Sequence, residues 1–365
     1  MMTHQLMRVA VIGTGMIANA AHIPAWKALS KDVEVVGVAD VRAEAARETA
    51  QRYNIARAYT DPQKMLDELA PDIVSVCTPN VYHKEWSIAA LKAGANVLCE
   101  KPLATSYADA LEMFETATAE NKMLYPSQSM RFMNQFSAAR EMVLEGRLGE
   151  IYYAEVNSIR RRGIPKWGFF HMKKHNAGGP VCDLGVHTID AVLWIMGNPK
   201  VKAVSGMTYA KLGHLDEGLV TSLTESGAPI GVFTPRPYDY REFDVEDFAS
   251  GYIRLENNIT LAMKTSWAVN MPDSFGLTVA GTCGGIQLPP LKLFTNQGRY
   301  QVEIEPKVLP DLDVPFSGHY GLTENFVKAL RGEAERVVKP EETLNVMHAI
   351  ELLYRSAVEE HEIQV

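Results

Sequence analysis

From Met7 to about Gln128, short apolar runs alternate with stretches of helical periodicity. Apolar runs buried on both faces, each followed by an amphipathic helix, build a parallel sheet covered on both sides. The pattern predicts strands at Met7–Ile12, Val33–Ala39, Ala56–Tyr59, Ile73–Cys77, Val97–Cys99 and Met123–Tyr125. Between them it predicts helices near Ile17–Leu29, Ala43–Tyr53, Pro62–Leu69, Tyr82–Ala93 and Tyr107–Glu120. Asp61-Pro62 sets a cap before a proline at the first helical position, and Gly94 follows a last helical turn as a stop. The expected first domain, residues 1–128, is therefore an α/β, doubly wound parallel sheet of the Rossmann type.

After Gln128 strands follow strands. Alternating segments at Ile151–Ile159, Lys200–Met207, Val220–Thr224, Ile230–Thr234, Ser250–Leu255, Ile259–Ser266, Gly276–Ala280 and Tyr300–Ile304 read as a mostly antiparallel sheet. Glu256-Asn257-Asn258 and Gly284-Gly285 are read as its turns. Helices are expected at Phe136–Leu144, Val186–Met196, Leu322–Arg331 and Glu341–Glu360, giving a second, α+β domain over 129–365.

The length of 365 residues suits two such domains. Lysine and arginine number 36 against 44 acids, so the net charge of -8 offers no global positive field for nucleic acid. No stretch approaches the roughly 18 consecutive apolar residues of a membrane helix, and Met1–Arg8 lacks the regions of a signal peptide. Cys77, Cys99, Cys182 and Cys283 form no CxxC pair and mostly sit in apolar runs, which favours buried thiols over a redox or metal role. A cytoplasmic protein without nucleic-acid or membrane partners is the expectation.

The chemistry begins at Gly13-Thr14-Gly15-Met16-Ile17-Ala18, between the first strand and the first helix. Glycines there permit a tight turn and let backbone N–H groups approach a pyrophosphate at a helix N-terminus. Asp40 ends the second strand, where a carboxylate accepts from adenine-ribose hydroxyls and repels a 2′-phosphate; this favours NAD, while nearby Arg42 keeps NADP open. Gly13, Gly15, Met16, Ile17, Asp40 and Arg42 are thus candidate cofactor residues. Thr78, Pro79 and Asn80 join them from the carboxyl edge of the sheet, with Glu100, Lys101 and Gln128 at later strand ends. His83 either faces the cofactor or caps a turn.

Lys101, in Glu100-Lys101-Pro102, projects from the same edge and could stabilise a developing alkoxide. Asp183 and His187 stand four apart, on one face of a helix. An imidazole of ordinary pKa can take the proton as an alcohol is oxidised, and Asp183 could orient that ring or hold a substrate hydroxyl. Arg160, Arg161, Arg162, Lys166, Lys173 and Lys174 form a run free of acids, either a rim for an anionic ligand or a solvated edge. Trp167 could offer a flat face to a sugar ring. Arg131, Arg160 and His319 complete the candidate substrate set. His171 and His175 with Asp183 and His187 could be imagined as a metal site, but Lys173 and Lys174 intervene and no HExxH pattern is present, so no metal is expected.

Together, the Gly13–Ala18 turn, Thr78-Pro79-Asn80 with His83, the run from Gly94 to Glu100-Lys101-Pro102, and Asp183-Leu184-Gly185-Val186-His187 resemble the Gfo/Idh/MocA oxidoreductase family. The resemblance spans nearly the whole chain, although Pro180 and Cys182 depart from its usual turn. It implies an N-terminal Rossmann domain and a C-terminal domain with a large open sheet often used for homo-oligomers, here a dimer or tetramer. It also implies reversible oxidation of a secondary hydroxyl of a sugar, sugar derivative or cyclic polyol. By resemblance Lys101 matches the active-site lysine, Asp183 the substrate-binding acid and His187 the proton-transferring base. Its alternatives are a redox-neutral NAD-using glycosidase and a non-catalytic regulator sensing NAD or sugar.

Overall fold

The computed structural model describes residues 6–215 and 238–365. The expected strands Val220–Thr224 and Ile230–Thr234 lie outside the described residues. In chain order the first segment forms β1 (Met7–Ile12), α1 (Ile23–Ala28), β2 (Val33–Ala39), α2 (Ala43–Tyr53), β3 (Ala58–Tyr59) and α3 (Pro62–Leu69). It continues with β4 (Ile73–Val76), α4 (His83–Lys92), β5 (Asn96–Cys99), α5 (Tyr107–Ala119) and β6 (Leu124–Pro126). There follow α6 (Asn134–Leu144), β7 (Ile151–Ile159), α7 (Lys173–Asn176), α8 (Val186–Ile195), β8 (Val201–Tyr209), β9 (Phe248–Leu255) and β10 (Thr260–Ser266). The chain ends with β11 (Ser274–Gly281), β12 (Gly284–Leu288), β13 (Lys292–Gln297), β14 (Tyr300–Ile304), α9 (Gly318–Leu330), α10 (Pro340–Glu359) and β15 (Ile363–Gln364).

The first sheet has six strands in the order β3-β2-β1-β4-β5-β6, and its pairs are parallel. That is the doubly wound order whose reversal beside β1 opens a crevice at the carboxyl ends of the strands. β4 is buried along its whole length, as a strand covered on both faces must be. Caps fix the helix starts: Asp61 accepts from the Gln63 N–H at 2.9 Å, and Ser106 from the Asp109 N–H at 3.1 Å.

The described chain divides into two compact units: residues 6–129 with 312–340, and residues 130–215, 238–311 and 341–365. Residues 312–340 thus group by compactness with the first unit. The reason is packing: Phe326 of α9 meets Trp26 of α1 at 6.3 Å and Tyr125 of β6 at 5.2 Å, ring centroid to centroid. Arg331 also pairs with Asp32.

Among its described residues the second unit carries a nine-stranded sheet, β14-β13-β12-β11-β7-β10-β9-β8-β15. Its strands pair antiparallel except for β7 with β10, which are parallel. β12, β13 and β15 were not expected. Gly284-Gly285, read as a turn, opens β12 instead, pairing with Thr295 and Phe294. No described helix is long and apolar enough to cross a membrane.

Candidate active site

In the first unit the glycine turn is forced by a close approach. Gly13 has φ +88°, and a Cβ on it would stand 2.6 Å from the Cys77 carbonyl oxygen. The Thr14 N–H and hydroxyl both donate to Asp40 Oδ2, at 2.9 and 3.0 Å, and the Arg42 N–H donates to Oδ1 at 2.9 Å. Asp40 therefore ties the second strand end to the turn, a role the sequence reading did not assign. Asn19, also unforeseen, is buried, and its amide donates to the carbonyls of Thr14 and Gly15 at 2.8 and 3.0 Å.

The turn opens helical residues 16–28, which include a π segment, Ala18–His22. Gly15, Met16 and Ile17 are partly exposed, and nothing lies within 4 Å of where a Gly15 side chain would begin. The first-turn amides of a helix have no carbonyl of their own turn to meet, so this open cradle suits an anion. Thr78 Oγ1 and Gln128 Oε1, near the ends of β4 and β6, are buried without a hydrogen-bond partner among the described residues. An open main-chain cradle, an acidic strand end and two orphaned polar atoms fit a dinucleotide.

Two expected cofactor residues are otherwise engaged. His83 is fully buried, with its ring nitrogens 2.8 Å from the Pro102 carbonyl and 2.9 Å from the Thr78 carbonyl. It joins the two turns rather than facing a ligand. Burial pushes its pKa below the ordinary histidine value, against the pull of those carbonyls. Glu100 is buried too, with Oε1 2.7 Å from His22 Nε2 and Oε2 accepting from the Lys101 N–H at 3.2 Å. His319, expected to meet substrate, is buried and lies 3.4 Å from Glu100 Oε1. Lys101 itself is half-buried.

In the second unit a π segment, Val181–Gly185, runs into α8. Such one-turn expansions recur at functional sites. Of residues 180–195 only Asp183, Leu184 and His187 are not fully buried, so the expected pair does share the one accessible face. Asp183 is held by Trp267, whose Nε1–H donates to Oδ2 at 3.0 Å. The helix start is held by Glu246: Oε2 accepts from the Gly179 N–H at 2.9 Å, and Oε1 from the Val181 N–H at 3.1 Å and the Tyr354 hydroxyl at 2.8 Å. A side chain on Gly179 would strike the Glu246 carbonyl oxygen at 2.1 Å. Burial pushes the Glu246 pKa up against these donors. Neither Trp267 nor Glu246 carries a local motif that could have flagged it.

Arg131, expected on the substrate side, is a core residue instead. Its guanidinium donates to Asp190 at 2.9 and 2.6 Å, also pairs with Glu342, and is 1% exposed. Trp167 is likewise a correction: it is buried and meets Phe170 edge-on at 5.7 Å, so it offers no open flat face. Arg160 donates to the Gly163 carbonyl at 3.3 Å, and Arg162 to the Val269 carbonyl at 3.2 Å, while Lys173 and Lys174 are exposed. His171, His175, Asp183 and His187 are not gathered into one ligand set among the described residues.

Comparison with known proteins bears on these sites. The model of an oxidoreductase family with an NAD-binding Rossmann fold matches residues 7–128, and that of the family's C-terminal alpha/beta domain matches 140–365. The chain is 33% identical to the D-glucoside 3-dehydrogenase of Escherichia coli (strain K12), over 98% of this chain and 97% of that protein. It is 28% identical to the myo-inositol 2-dehydrogenase of Thermotoga maritima, over 61% of this chain and 66% of that one. Among solved structures, levoglucosan dehydrogenase in complex with NADH and levoglucosan superposes with a TM-score of 0.81 at 19% identity, covering 99% of this chain and 100% of that one.

Proposed function

We propose a function from one premise: the chain belongs to the Gfo/Idh/MocA family of NAD-binding oxidoreductases. It oxidises a secondary hydroxyl of a sugar or cyclic polyol, reversibly, and the preferred substrate class is a glucoside reacting at a ring hydroxyl. The full-length similarity to a D-glucoside 3-dehydrogenase supports that class. NAD, when bound, supplies the two-electron acceptor. Asp40 favours NAD over NADP, because a 2′-phosphate would meet a carboxylate already drawn in by the Thr14 and Arg42 N–H groups.

The observation that carries the reading is the accessible pair on an otherwise buried helix. Asp183, oriented by Trp267, accepts a hydrogen bond from a substrate hydroxyl and fixes the ring. His187, one helical repeat on, takes the hydroxyl proton as the carbonyl forms. Lys101 donates to the reacting oxygen and offsets its developing negative charge. Four cysteines without a disulfide support a reducing compartment, so the reaction is assigned to the cytoplasm. Exposed Tyr252, Phe275 and Tyr300 on the nine-stranded sheet support assembly of copies through that sheet.

The test is NADH formation by the purified protein, with NAD and with NADP, against glucosides, inositols, aldoses, uronic acids and anhydrosugars. Turnover of glucosides with NAD is expected. NAD binding without net reduction of any sugar would turn the reading toward a redox-neutral glycosidase or a sensor.

A further inference from the structure

Ser75 of β4, His22 of the π segment, Glu100 after β5 and His319 of α9 form a hydrogen-bonded chain inside the first unit. Trp26 Nε1 lies 3.3 Å from Ser75 Oγ, Ser75 Oγ 2.7 Å from His22 Nδ1, and His22 Nε2 2.7 Å from Glu100 Oε1. His319 Nε2 approaches the same carboxylate oxygen at 3.4 Å, and the Lys101 N–H reaches the other at 3.2 Å. An indole N–H only donates, so Ser75 Oγ accepts from Trp26 and keeps both a lone pair and a proton for His22 Nδ1. An ionised Glu100, which only accepts, decides the direction by requiring the proton of a neutral His22 on Nε2. His22 then carries its proton on Nε2 and gives it to Glu100. A neutral His22 thereby takes one tautomer, while Nδ1 of His319 stays buried without a hydrogen-bond partner among the described residues.

This order copies that of a serine nucleophile with its base and acid. Ser75 and His22 are both 0% exposed, however, so no substrate meets the hydroxyl. Nor does the spacing suit a metal. Two ligand atoms about 2.0 Å from a tetrahedral zinc ion stand about 3.3 Å apart. The 2.7 Å between His22 and Glu100 is instead the spacing of a shared proton.

We infer that Ser75, His22 and His319 act as positioning residues for Lys101, by holding Glu100 as an ionised acceptor that anchors the Lys101 backbone N–H. This role rests on Lys101 acting in the reaction proposed above. Burial alone would favour a neutral Glu100, yet the two imidazoles hold its carboxyl well below the usual carboxylate range. Burial likewise holds the His22 pKa below its ordinary value, in keeping with a neutral ring. The side chains bonded to Glu100 come from two separate elements, the π segment and α9, so the Lys101 turn depends on residues far from it in sequence.

The test compares Glu100→Gln, His319→Gln and Lys101→Ala in the full chain with the best sugar found and NAD. Glu100→Gln and His319→Gln should lower kcat about tenfold to a hundredfold through misplacement of Lys101. KM and NAD affinity should stay within about twofold of the parent, and Glu100→Asp should recover part of the loss. Wild-type kcat in both variants, with Lys101→Ala inactive, overturns the positioning role alone. Activity in Lys101→Ala instead removes the reading of Lys101, and this role with it. A second measurement uses only the wild-type chain: the side-chain nitrogen NMR spectrum of His22, assigned through bonds from its own backbone, should show the neutral Nε2–H tautomer. The opposite tautomer, or stoichiometric zinc in the purified protein, overturns the arrangement.

Discussion

The helical residues 16–28 and 180–195 each carry a five-residue π segment at a candidate site, and they present different groups to a ligand. The first is fixed by the Gly13 turn, the Asn19 amide on two carbonyls, fully buried Ile23 and Trp26, and the bond of His22 to buried Glu100. What it offers a ligand is backbone. The second is fixed by charged and polar side chains, with Glu246 at its start, Trp267 on Asp183 and Arg131 on Asp190. What it offers is two aimed side chains. Recognising a constant diphosphate can be written into a turn, whereas aiming a particular carboxylate and imidazole requires buried props that must all be satisfied.

The strongest way to break this contrast is at Arg131. Replacing it by Met leaves Asp190 and Glu342 buried without their cation, which should cost about 3–5 kcal/mol of stability. Chemical denaturation measures this. An unchanged midpoint with a raised KM would return Arg131 to the substrate.

Next in size, His187→Ala and Lys101→Ala should each lower turnover at least about a hundredfold with NAD binding nearly intact. Steady-state rates and cofactor titration decide it, and near-native turnover in either variant removes that residue from the mechanism. Trp267→Phe keeps a buried ring but takes the N–H from Asp183. A lost hydrogen bond to a charged group predicts about a tenfold fall in kcat/KM for sugar. The same change should leave NAD affinity alone, and a loss confined to stability would make Trp267 a packing residue only.

The smallest effect concerns pH. His22 and His83 have folded-state pKa values below their ordinary 6.5. As pH falls through 6.5 the unfolded chain takes up protons that the folded chain refuses, so stability should decline on acidification and be restored above that value. Glu246, raised from 4.5, works in the other direction above its unfolded pKa and blunts the slope. Melting temperatures measured from neutral pH down to pH 5 should fall, and a flat profile would mean that these rings take up protons as readily in the folded chain as in the unfolded one.

The contrast also explains what could be read from the sequence. β1, β2, α2 and α3 have the expected bounds because their periodicity and caps are local. The glycine turn and the Asp183–His187 pair were legible for the same reason. The π segments were not, since no periodicity distinguishes them from α-helix. Trp267 is 84 residues from Asp183 and His319 is 219 from Glu100, so their meeting follows from tertiary packing alone. Arg131 and Trp167 depart from the expected substrate set because this fold buries both side chains. β12 was hidden by Gly284-Gly285, which the sheet uses as a strand start.

The return of residues 312–340 to the first unit has a consequence for biosynthesis. A ribosome that has released residues 6–129 has delivered every strand of the six-stranded sheet, but neither Phe326, which packs on Trp26 and Tyr125, nor His319, which approaches Glu100. The nascent sheet waits for nearly two hundred further residues with an apolar flank uncovered, a span in which chaperones have something to hold. Vectorial synthesis thus completes the nucleotide-binding unit late, although its motif emerges first.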